Sequence, residues 1–442
     1  MKANIPTAKK KRVVIIGGGF GGLKLVEKIS TKYFQVVLID KNNYHQFQPL
    51  FYQVATAGLE PSSIVFPFRK IFHDQDDFHF RLGEVLKVNE KENTIDTTIG
   101  LINFDYLVIA SGADTNFFGN INLEKYSYPM KSIQEALSLR NTLFQHFEDA
   151  INTANLKERE KLLTIVIVGG GPTGVEVAGT LAEMKSHILP KDYPDMDFSL
   201  MKIILLEGAP RVLNAMDTKS CEKAEKYLED LGVEVKTGVR VLDYDGEEVF
   251  IKGKESIFTK TLIWSAGVKG NLLEGLNEAV YSPGGRIHVD RFNLVESSNK
   301  NIYAIGDVAA MIKDDYSRGH PQMAQPAIQQ GLNLAKNLNR IIEGKPLKEF
   351  SYKNLGSMAT IGRNKAVVEL PNYKFQGFFA WVVWLVVHLK SILGVKNKFI
   401  VLINWIWNYI TYNLSLRLII KPNERIKCKS WGLIISSDTF FS

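Results

Sequence analysis

The chain has 442 residues, which is more than one ordinary hydrophobic core holds, so two or three domains are expected. Hydrophobic residues make up 45% of it, which excludes a largely disordered chain, and its two cysteines, Cys221 and Cys428, form no motif, which excludes a disulfide framework or a cysteine zinc cluster. The net charge of +7 lies entirely beyond residue 370, where there are nine basic residues and two acidic ones.

The first predicted element is an apolar strand over 13–16 that leads into a glycine-rich turn, followed by a helix over 23–30 and a strand over 35–39 that ends in Asp40. The glycines of the turn are Gly17, Gly18, Gly19 and Gly22, and the first, third and fourth fit G-x-G-x-x-G. Such glycines permit a tight turn, let a pyrophosphate approach the backbone and let the helix pack on the sheet. The unit predicts a dinucleotide site in which Asp40 accepts hydrogen bonds from a ribose.

A second unit of the same kind begins with an apolar strand over 165–168 and ends in Glu207, directly after a strand over 202–206. Its fingerprint glycines are Gly169, Gly171 and Gly174. The acid comes later than in the first unit, which an inserted loop over 187–198 would explain. A carboxylate at this position would repel the 2′-phosphate of NADPH, so we predict a preference for NADH. An ordinary exposed acid at a strand end is the alternative.

Further predicted strands surround the second unit. One over 104–110 leads to Gly112, and two more, over 262–265 and 302–305, also end near a glycine, of which Gly267 is assigned to the NADH site. Two dinucleotide units in one chain predict one tightly held redox cofactor and one exchanging substrate. Flavin and nicotinamide are the natural pair, because a hydride passes directly between their rings.

The order of these motifs resembles the flavoproteins with two dinucleotide-binding domains, a class that includes glutathione reductase. Residues 107–113, LVIASGA, are similar to the second glycine segment of that class, and residues 301–307, NIYAIGD, are similar to its late FAD motif. The resemblance implies that Gly112 contacts FAD and that Asp307 bonds its ribityl chain. The cysteine pairs of the disulfide reductases and of the sulfide-oxidising relatives are missing, which argues against thiol or sulfide substrates.

Within that class, the chain resembles the type II NADH dehydrogenases, which are single-subunit NADH:quinone oxidoreductases, over about residues 11–420. The matching segments are 47–55 (FQPLFYQVA), which lies beside the flavin ring in the family, 174–176 (GVE), and 324–329 (AQPAIQ), which fits the family's A-Q-x-A-x-Q motif. The flavin contacts that the resemblance implies are Val85, Ala324 and Gln325. The implied quinone contacts are Gln325 and Gln329.

The resemblance implies an α/β fold of two Rossmann-like domains, as in glutathione reductase, with a C-terminal helical membrane-association segment. The expected domains are the FAD-binding domain over 1–125 and 291–355, the NADH-binding domain over 126–290 and the membrane-association region over 356–442. The implied activity transfers a hydride from NADH to FAD and two electrons to a membrane quinone of a respiratory chain, without proton pumping. Two alternatives stay open: a soluble ferredoxin-type reductase, and a flavoprotein with a mainly binding role, like the apoptosis-inducing relatives.

Three side chains have a predicted chemical role. Glu176 lies in the first turn of a helix, where the helix dipole favours a carboxylate, so we expect it to be ionised. As the catalytic residue it would orient the nicotinamide or handle protons, and an ordinary first-turn acid is the alternative. Gln325 and Gln329 are four residues apart and share a helix face, so one amide is expected to reach the flavin and the other the quinone. A solvated polar face that also includes Gln322 and Gln330 is the alternative. No metal site is predicted, because no histidine or carboxylate cluster has ligand spacing.

The C-terminal region contains apolar runs over 378–389 and 399–420 and five of the six tryptophans. The second run has a polar stripe at helical spacing, formed by Asn404, Asn408, Thr411 and Ser415. Such a stripe suits a helix in the lipid interface, with Trp405 and Trp407 at the level of the headgroups. We therefore expect peripheral attachment to the cytoplasmic face of the cell membrane and no binding of nucleic acid. A buried hairpin, a dimer interface and a spanning hairpin are the alternatives, and a homodimer is left open.

Overall fold

A computed structural model describes residues 1–7, 9–282, 284–296, 300–313, 316–412 and 416–420. Its helices are α1 (Phe20–Lys28), α2 (Phe51–Ala55), α3 (Phe68–Ile71), α4 (Ile121–Tyr126), α5 (Ile133–Asn152), α6 (Leu156–Leu163), α7 (Pro172–His187), α8 (Leu189–Asp192), α9 (Thr218–Asp230), α10 (Ala324–Ile342), α11 (Phe378–Ser391) and α12 (Val395–Thr411). Its strands are β1 (Lys11–Ile16), β2 (Phe34–Asp40), β3 (Tyr44–Gln46), β4 (Val65–Pro67), β5 (Phe78–Leu82), β6 (Val85–Asn89), β7 (Thr94–Thr97), β8 (Ile102–Asn103), β9 (Tyr106–Ile109), β10 (Ala113–Thr115), β11 (Thr164–Val168), β12 (Lys202–Leu206), β13 (Glu234–Lys236), β14 (Val241–Tyr244), β15 (Glu248–Ile251), β16 (Ile257–Phe258), β17 (Thr261–Trp264), β18 (Val268–Gly270), β19 (Tyr281–Ser282), β20 (Arg286–His288), β21 (Ile302–Ala304), β22 (Ala309–Ala310), β23 (Ser357–Gly362), β24 (Lys365–Glu369) and β25 (Lys374–Gln376).

The first glycine unit belongs to a parallel sheet with the strand order β21-β9-β1-β2-β5. Val14 of β1 lies opposite Val37 of β2 and Leu107 of β9. These strands are buried on both faces over most of their length, as expected where helices cover both sides of a sheet. The apolar faces of α1 and α10 share one hydrophobic core with the sheet. The chain after residue 300 therefore returns to the domain in which it began.

The second glycine unit forms its own parallel sheet with the order β13-β12-β11-β17. Val166 of β11 lies opposite Ile204 of β12 and Leu262 of β17. The stretch expected as an inserted loop, 187–198, lies between α7 and β12 and contains the short helix α8. Two sheets with the same local order of strand, glycine turn and helix confirm the predicted doubling of the Rossmann-like unit.

A short antiparallel pair, β10 and β18, joins the two sheets, with Ala113 opposite Gly270. The strands of the first sheet fall within 1–125 and 291–355, and those of the second sheet fall within 126–290. However, β20 pairs with β22 across the expected boundary at residue 290. The domain limits given above therefore remain a proposal.

The C-terminal region begins with the antiparallel sheet β23-β24-β25, which packs on α7. The approach is close because Gly179 of α7 has no side chain: a Cβ there would lie 1.6 Å from the carbonyl oxygen of Ile361. α11 packs on β24, and α12 folds back beside α11. This arrangement buries Trp384, and truncating a buried aromatic residue of that size costs about 3–5 kcal/mol. The C-terminal helices are therefore part of the folded body.

The orientation of α12 differs from the sequence expectation. The polar side chain of Asn408 faces the protein, because its Nδ2 donates to the carbonyl oxygen of Gly58 at 3.3 Å. Trp405 Nε1 likewise donates to Oε1 of Gln53 at 2.8 Å, so the expected headgroup position of Trp405 is wrong, whereas Trp407 is exposed. The helix ends at Thr411 rather than at residue 420.

The C-terminal prediction includes residues that lie outside the described ranges. These residues are Ser415, Cys428, Trp431 and the basic residues beyond 420. Among the described residues, no helix is both long enough and apolar enough to cross a membrane.

Candidate active site

A cleft of about 830 Å³ opens where the strands of the first sheet end. The sequence-predicted residues that line it are Gly17, Gly18, Gly19, Asp40, Val85, Gly112, Asp307 and Ala324. Gln48, from the segment 47–55 that resembles the family's flavin-side motif, and the preceding Gln46 line it as well. The structure thus brings residues from widely separated stretches of the chain to one cleft.

The glycines of both fingerprints fit a bound dinucleotide. A Cβ at Gly22 would lie 2.0 Å from the carbonyl oxygen of Gly17, and a Cβ at Gly174 would lie 1.9 Å from that of Gly169, so these glycines permit the turn itself. A Cβ at Gly19 or Gly171 would meet no protein atom within 4 Å. That space lies at the start of α1 and α7, where backbone N–H groups favour phosphate oxygens.

Asp40 closes the first glycine turn from the end of β2. Its Oδ2 accepts a hydrogen bond from the Gly18 amide nitrogen, and its Oδ1 accepts one from that of Asn42, each at 2.7 Å. Burial raises the pKa of Asp40, and the two hydrogen bonds oppose that shift. The carboxylate is therefore held rigidly at the rim of the cleft, where the fingerprint places the ribose.

His45 supports the same turn and has no signal in the sequence. Its Nδ1 lies 2.9 Å from the carbonyl oxygen of Gly18, and burial lowers the pKa of His45 to about 4. A carbonyl oxygen only accepts hydrogen bonds, so Nδ1 carries the proton of the neutral ring. His45 therefore fixes the glycine turn from behind.

Asp307 lies in a 3-10 turn after β21, at the other end of the cleft. Burial raises the pKa of Asp307, whereas the positive charges of Lys131 and Arg286 lower it. Lys131 also lines the cleft and was not predicted from the sequence. A half-buried carboxylate beside a lysine fits a polar, hydroxyl-rich part of a ligand.

Glu207 repeats the geometry of Asp40 in the second unit. Its Oε2 accepts a hydrogen bond from the Gly170 amide nitrogen, and its Oε1 accepts one from that of Ala209 at 2.6 Å. Gly267 follows β17, and the preceding Ser265 donates its hydroxyl to the carbonyl oxygen of Gly169 at 3.0 Å. The structure therefore brings the predicted second-site residues together around one turn.

The expectation that Glu176 is ionised is wrong. Glu176 is the fifth residue of α7, just beyond the first turn in which it was expected. Only 8% of it is exposed, and burial raises the pKa of Glu176 to about 8. The Thr360 backbone N–H and the Trp384 side chain partly oppose that shift. Trp384 Nε1 nevertheless makes no hydrogen bond of normal geometry within the described residues. At neutral pH the Glu176 carboxyl is therefore mostly protonated, because desolvation outweighs the helix dipole.

Residues of α11 complete the surroundings of Glu176. Trp384 packs against Tyr52, with 6.4 Å between ring centroids, and His388 lies 6.3 Å from Phe47. The segment 47–55 is therefore covered by the C-terminal helix that the sequence assigned only to the membrane. The sole sequence signal was the helical spacing of Trp384 and His388, four residues apart.

The four glutamines near the start of α10 have different environments. Gln322 Nε2 donates to the carbonyl oxygen of Asp307 at 3.1 Å, and Gln330 Oε1 accepts from the Gly306 amide nitrogen at 2.7 Å. Gln329 pairs both amide atoms with the Lys353 backbone, at 2.9 and 3.0 Å. Within the described chain, the Gln325 side chain makes no hydrogen bond. Gln325 is therefore free to meet a ligand, whereas Gln329 would have to give up its backbone pairing.

This fold and site define a pyridine-nucleotide-linked oxidoreductase with two dinucleotide units. The profile of the family described as Pyridine nucleotide-disulphide oxidoreductase matches residues 11–331, and that of the NDH2 C-terminal domain matches residues 354–411. The chain belongs to the type II NADH:quinone oxidoreductase family. A potential metal site has no support from the described residues, since they contain no suitable cluster of histidine, cysteine and carboxylate side chains.

Individual proteins are similar over most of their length. The chain is 35% identical to the type II NADH:quinone oxidoreductase Ndh of Mycobacterium tuberculosis, over 92% of this chain and 90% of the relative. It is 32% identical to the type II NADH:quinone oxidoreductase of Staphylococcus aureus, over 81% and 89%. The structure of NDH2 from Plasmodium falciparum in complex with NADH has the same fold, with a TM-score of 0.85 at 24% identity over 93% of this chain and 100% of that one.

Proposed function

We propose that the protein is an FAD-dependent NADH:quinone oxidoreductase that moves two electrons to a membrane quinone without pumping protons. The observation that carries this proposal is the cleft of about 830 Å³, which joins the first glycine turn and Asp40 to Asp307 and Ala324. The second glycine turn follows β11 of a separate sheet, and Glu176 lies on α7 directly after that turn. The β10–β18 pair connects the two sheets. Such an arrangement suits one bound and one exchanging dinucleotide.

The residues proposed to hold FAD are Gly17, Gly18, Gly19, Gly22, Asp40, Val85, Gly112, Asp307, Ala324 and Gln325. The start of α1 presents backbone N–H groups to the pyrophosphate, and Asp40 accepts from a ribose. Asp307 accepts from hydroxyls of the ribityl chain. When bound, FAD supplies the redox chemistry, because it accepts a hydride from NADH and releases electrons to a quinone.

The residues proposed to hold NADH are Gly169, Gly171, Gly174, Glu207 and Gly267. Glu207 is proposed to accept from the ribose, where its carboxylate would repel a 2′-phosphate, which supports a preference for NADH. Glu176, mostly protonated at neutral pH, is proposed to hold a proton near the reacting rings. A protonated carboxyl donates a hydrogen bond, which an ionised one does not.

The quinone is proposed to approach from the C-terminal helices. Phe47, Trp384 and His388 form an aromatic contact between the segment 47–55 and α11. Gln325, on α10, is proposed to offer its unengaged amide to the quinone. Gln329 stays in the proposal as a second contact, although it pairs with the Lys353 backbone in this structure.

The outer face of α12 supports peripheral attachment to a bilayer. Phe399, Ile403, Ile406 and Ile410 recur at helical spacing and are between 51% and 72% exposed. Lys390, near the end of α11, and Lys396, near the start of α12, are exposed and can meet anionic headgroups. We propose attachment to the cytoplasmic face of the cell membrane, where NADH is available.

One assay separates this function from its alternatives. Purified protein is expected to show flavin absorbance and to consume NADH rapidly with a water-soluble quinone, and no faster when an iron–sulfur protein is the acceptor. Faster transfer to the iron–sulfur protein would favour a ferredoxin-type reductase. Stable flavin with negligible quinone turnover would favour a mainly binding role, and a protein that takes up no flavin would overturn the proposal.

A further inference from the structure

A second cavity, of about 140 Å³, lies between α7, the segment after α2, the turn from β23 to β24, and the two C-terminal helices. Its polar lining includes Tyr52, Gln53, Thr180, Glu183 and Thr360. The volume is sufficient for several water molecules, since one water needs about 10–15 Å³ of such space and several polar partners. The cavity contains none of the fingerprint residues, so it is distinct from the dinucleotide cleft.

One wall of this cavity adjoins Glu176. Thr360 and Trp384 line the cavity, and both also face the Glu176 carboxyl. Tyr52 lines it as well. Burial is the main cause that raises the pKa of Tyr52, and the negative charges of Glu176 and Glu183 raise it further. The Tyr52 hydroxyl oxygen accepts a hydrogen bond from Gln53 Nε2 at 2.8 Å, which leaves its own O–H free to donate.

Glu183 lies in the same wall, two turns further along α7 than Glu176. One carboxyl oxygen accepts a hydrogen bond from the Arg363 amide nitrogen. Burial raises the pKa of Glu183, while that hydrogen bond and the charges of Arg363, Lys365 and His187 oppose the shift. Glu183 is half-buried, so it is nearer to bulk water than Glu176.

The proposed reaction needs a proton from water. NADH and a quinone give NAD⁺ and a quinol: the hydride supplies one hydrogen nucleus and both electrons, and the second hydrogen comes from the solvent as a proton. A buried acid that gives up its proton to the quinol oxygen is left as a carboxylate in a poorly solvated site. It must be protonated again before the next turnover, and at 8% exposure Glu176 has little contact with water.

We propose that Glu183 and the second cavity form the proton entry path to Glu176. The inference rests on the proposed function. In each turnover the O–H bond of Glu176 breaks as a quinol O–H bond forms. The proton of Glu183 then passes through cavity water and the Tyr52 hydroxyl to the Glu176 carboxylate, and bulk water protonates Glu183 again. Glu183 touches neither substrate nor cofactor and acts through Glu176.

The test compares Glu183→Gln with the wild type, with Glu183→Asp, and with Glu222→Gln as a matched control on the exposed face of α9. Two acceptors are used: a water-soluble quinone, which takes protons, and ferricyanide, which takes electrons only. The rate of flavin reduction by NADH is measured separately, and flavin content and thermal unfolding check that each variant folds.

In Glu183→Gln, quinone turnover is expected to fall about tenfold or more, with a larger fall at alkaline pH and a larger solvent deuterium isotope effect. Flavin reduction and ferricyanide turnover should stay within about twofold of the wild type. Glu183→Asp should recover part of the loss, and Glu222→Gln should show none. Unchanged quinone turnover and isotope effect, or an equal loss with both acceptors, would overturn the inference. A wild type that reduces ferricyanide but no quinone would overturn the proposed function itself, before any variant is compared.

Discussion

The imidazole of His388 stacks on the indole of Trp384, with 3.9 Å between ring centroids and 22° between ring planes. His388 Nδ1 also lies 2.8 Å from the carbonyl oxygen of Trp384, one helical turn earlier. Burial lowers the pKa of His388 to about 4, so the ring is neutral at physiological pH. A neutral ring lets α11 pack on the segment 47–55 without burying a charge there.

This stack predicts a specific sensitivity to acid. Between about pH 6.5 and about pH 4 the unfolded chain binds a proton at His388 and the folded chain does not, so the free energy of unfolding falls as the pH falls. In His388→Gln, the loss between about pH 7.5 and about pH 5.5 should be smaller by about 1 kcal/mol, measured by chemical denaturation. His73→Gln is the control, because His73 is exposed. Equal pH dependence in both variants would contradict the prediction.

Glu176 predicts the opposite dependence on pH. Its folded pKa of about 8 lies above its unfolded value, so its contribution to the free energy of unfolding is present at acid pH and is lost as the pH rises toward 8. Glu176→Gln stays neutral and should lose less stability between about pH 5 and about pH 8, by on the order of 3 kcal/mol. The variant should also keep its flavin but turn over quinone more slowly. Denaturation curves and steady-state kinetics check both parts, and wild-type values would remove Glu176 from the mechanism.

Substitution by alanine is expected to cause different defects at Gly22 and at Gly19 of the first glycine turn. Gly22→Ala places a Cβ 2.0 Å from the Gly17 carbonyl oxygen, so the turn must distort and the protein should unfold at lower temperature. Gly19→Ala meets no protein atom within 4 Å and has an ordinary extended backbone, so the fold should tolerate it. Its methyl group would instead obstruct a pyrophosphate and weaken FAD binding by about tenfold or more. Thermal unfolding and flavin titration separate the two defects, and equal defects in both variants would be inconsistent with these roles.

Glu207 predicts the choice of nicotinamide cofactor. Glu207→Gln replaces the carboxylate by a neutral side chain of the same size and keeps one of the two oxygens that accept from the Gly170 and Ala209 amides. The ratio of kcat/KM for NADH over NADPH should fall by about tenfold, because a 2′-phosphate is no longer repelled. Glu255→Gln, on an exposed loop, is the control. A ratio that does not change would place the ribose elsewhere.

Local patterns in the sequence were sufficient for the two glycine units, since strand, turn, helix and closing acid lie within a few dozen residues of one another. They could not predict the burial and the raised pKa of Glu176, because Trp384, which packs beside it, comes from the C-terminal region of the chain. The helical spacing of Asn404 and Asn408 predicted a helix with a polar and an apolar face. It did not indicate which of the two faces packs against the protein. That choice depends on contacts such as Trp405 with Gln53, which are 352 positions apart.

The outward apolar face of α12 predicts how the protein attaches to lipid. Deleting everything after residue 375 would also remove buried Trp384 and Val401 from the core, so substitutions on the exposed face are the cleaner test. In Phe399→Ser/Ile403→Ser/Ile410→Ser, partitioning onto anionic vesicles should fall about hundredfold or more, because three apolar side chains no longer enter the interface. Quinone turnover in vesicles should fall with it, while turnover with ferricyanide should not change.

The matched control for this variant is Ile121→Ser/Leu242→Ser/Phe258→Ser, three exposed apolar residues on α4, β14 and β16, outside the C-terminal region. It should sediment with vesicles like the wild type. Equal sedimentation of both triple variants would show that α12 is not the surface that meets the membrane. Raising the salt concentration should weaken binding of the wild type, because Lys390 and Lys396, at the facing ends of α11 and α12, attract anionic headgroups and salt screens that attraction.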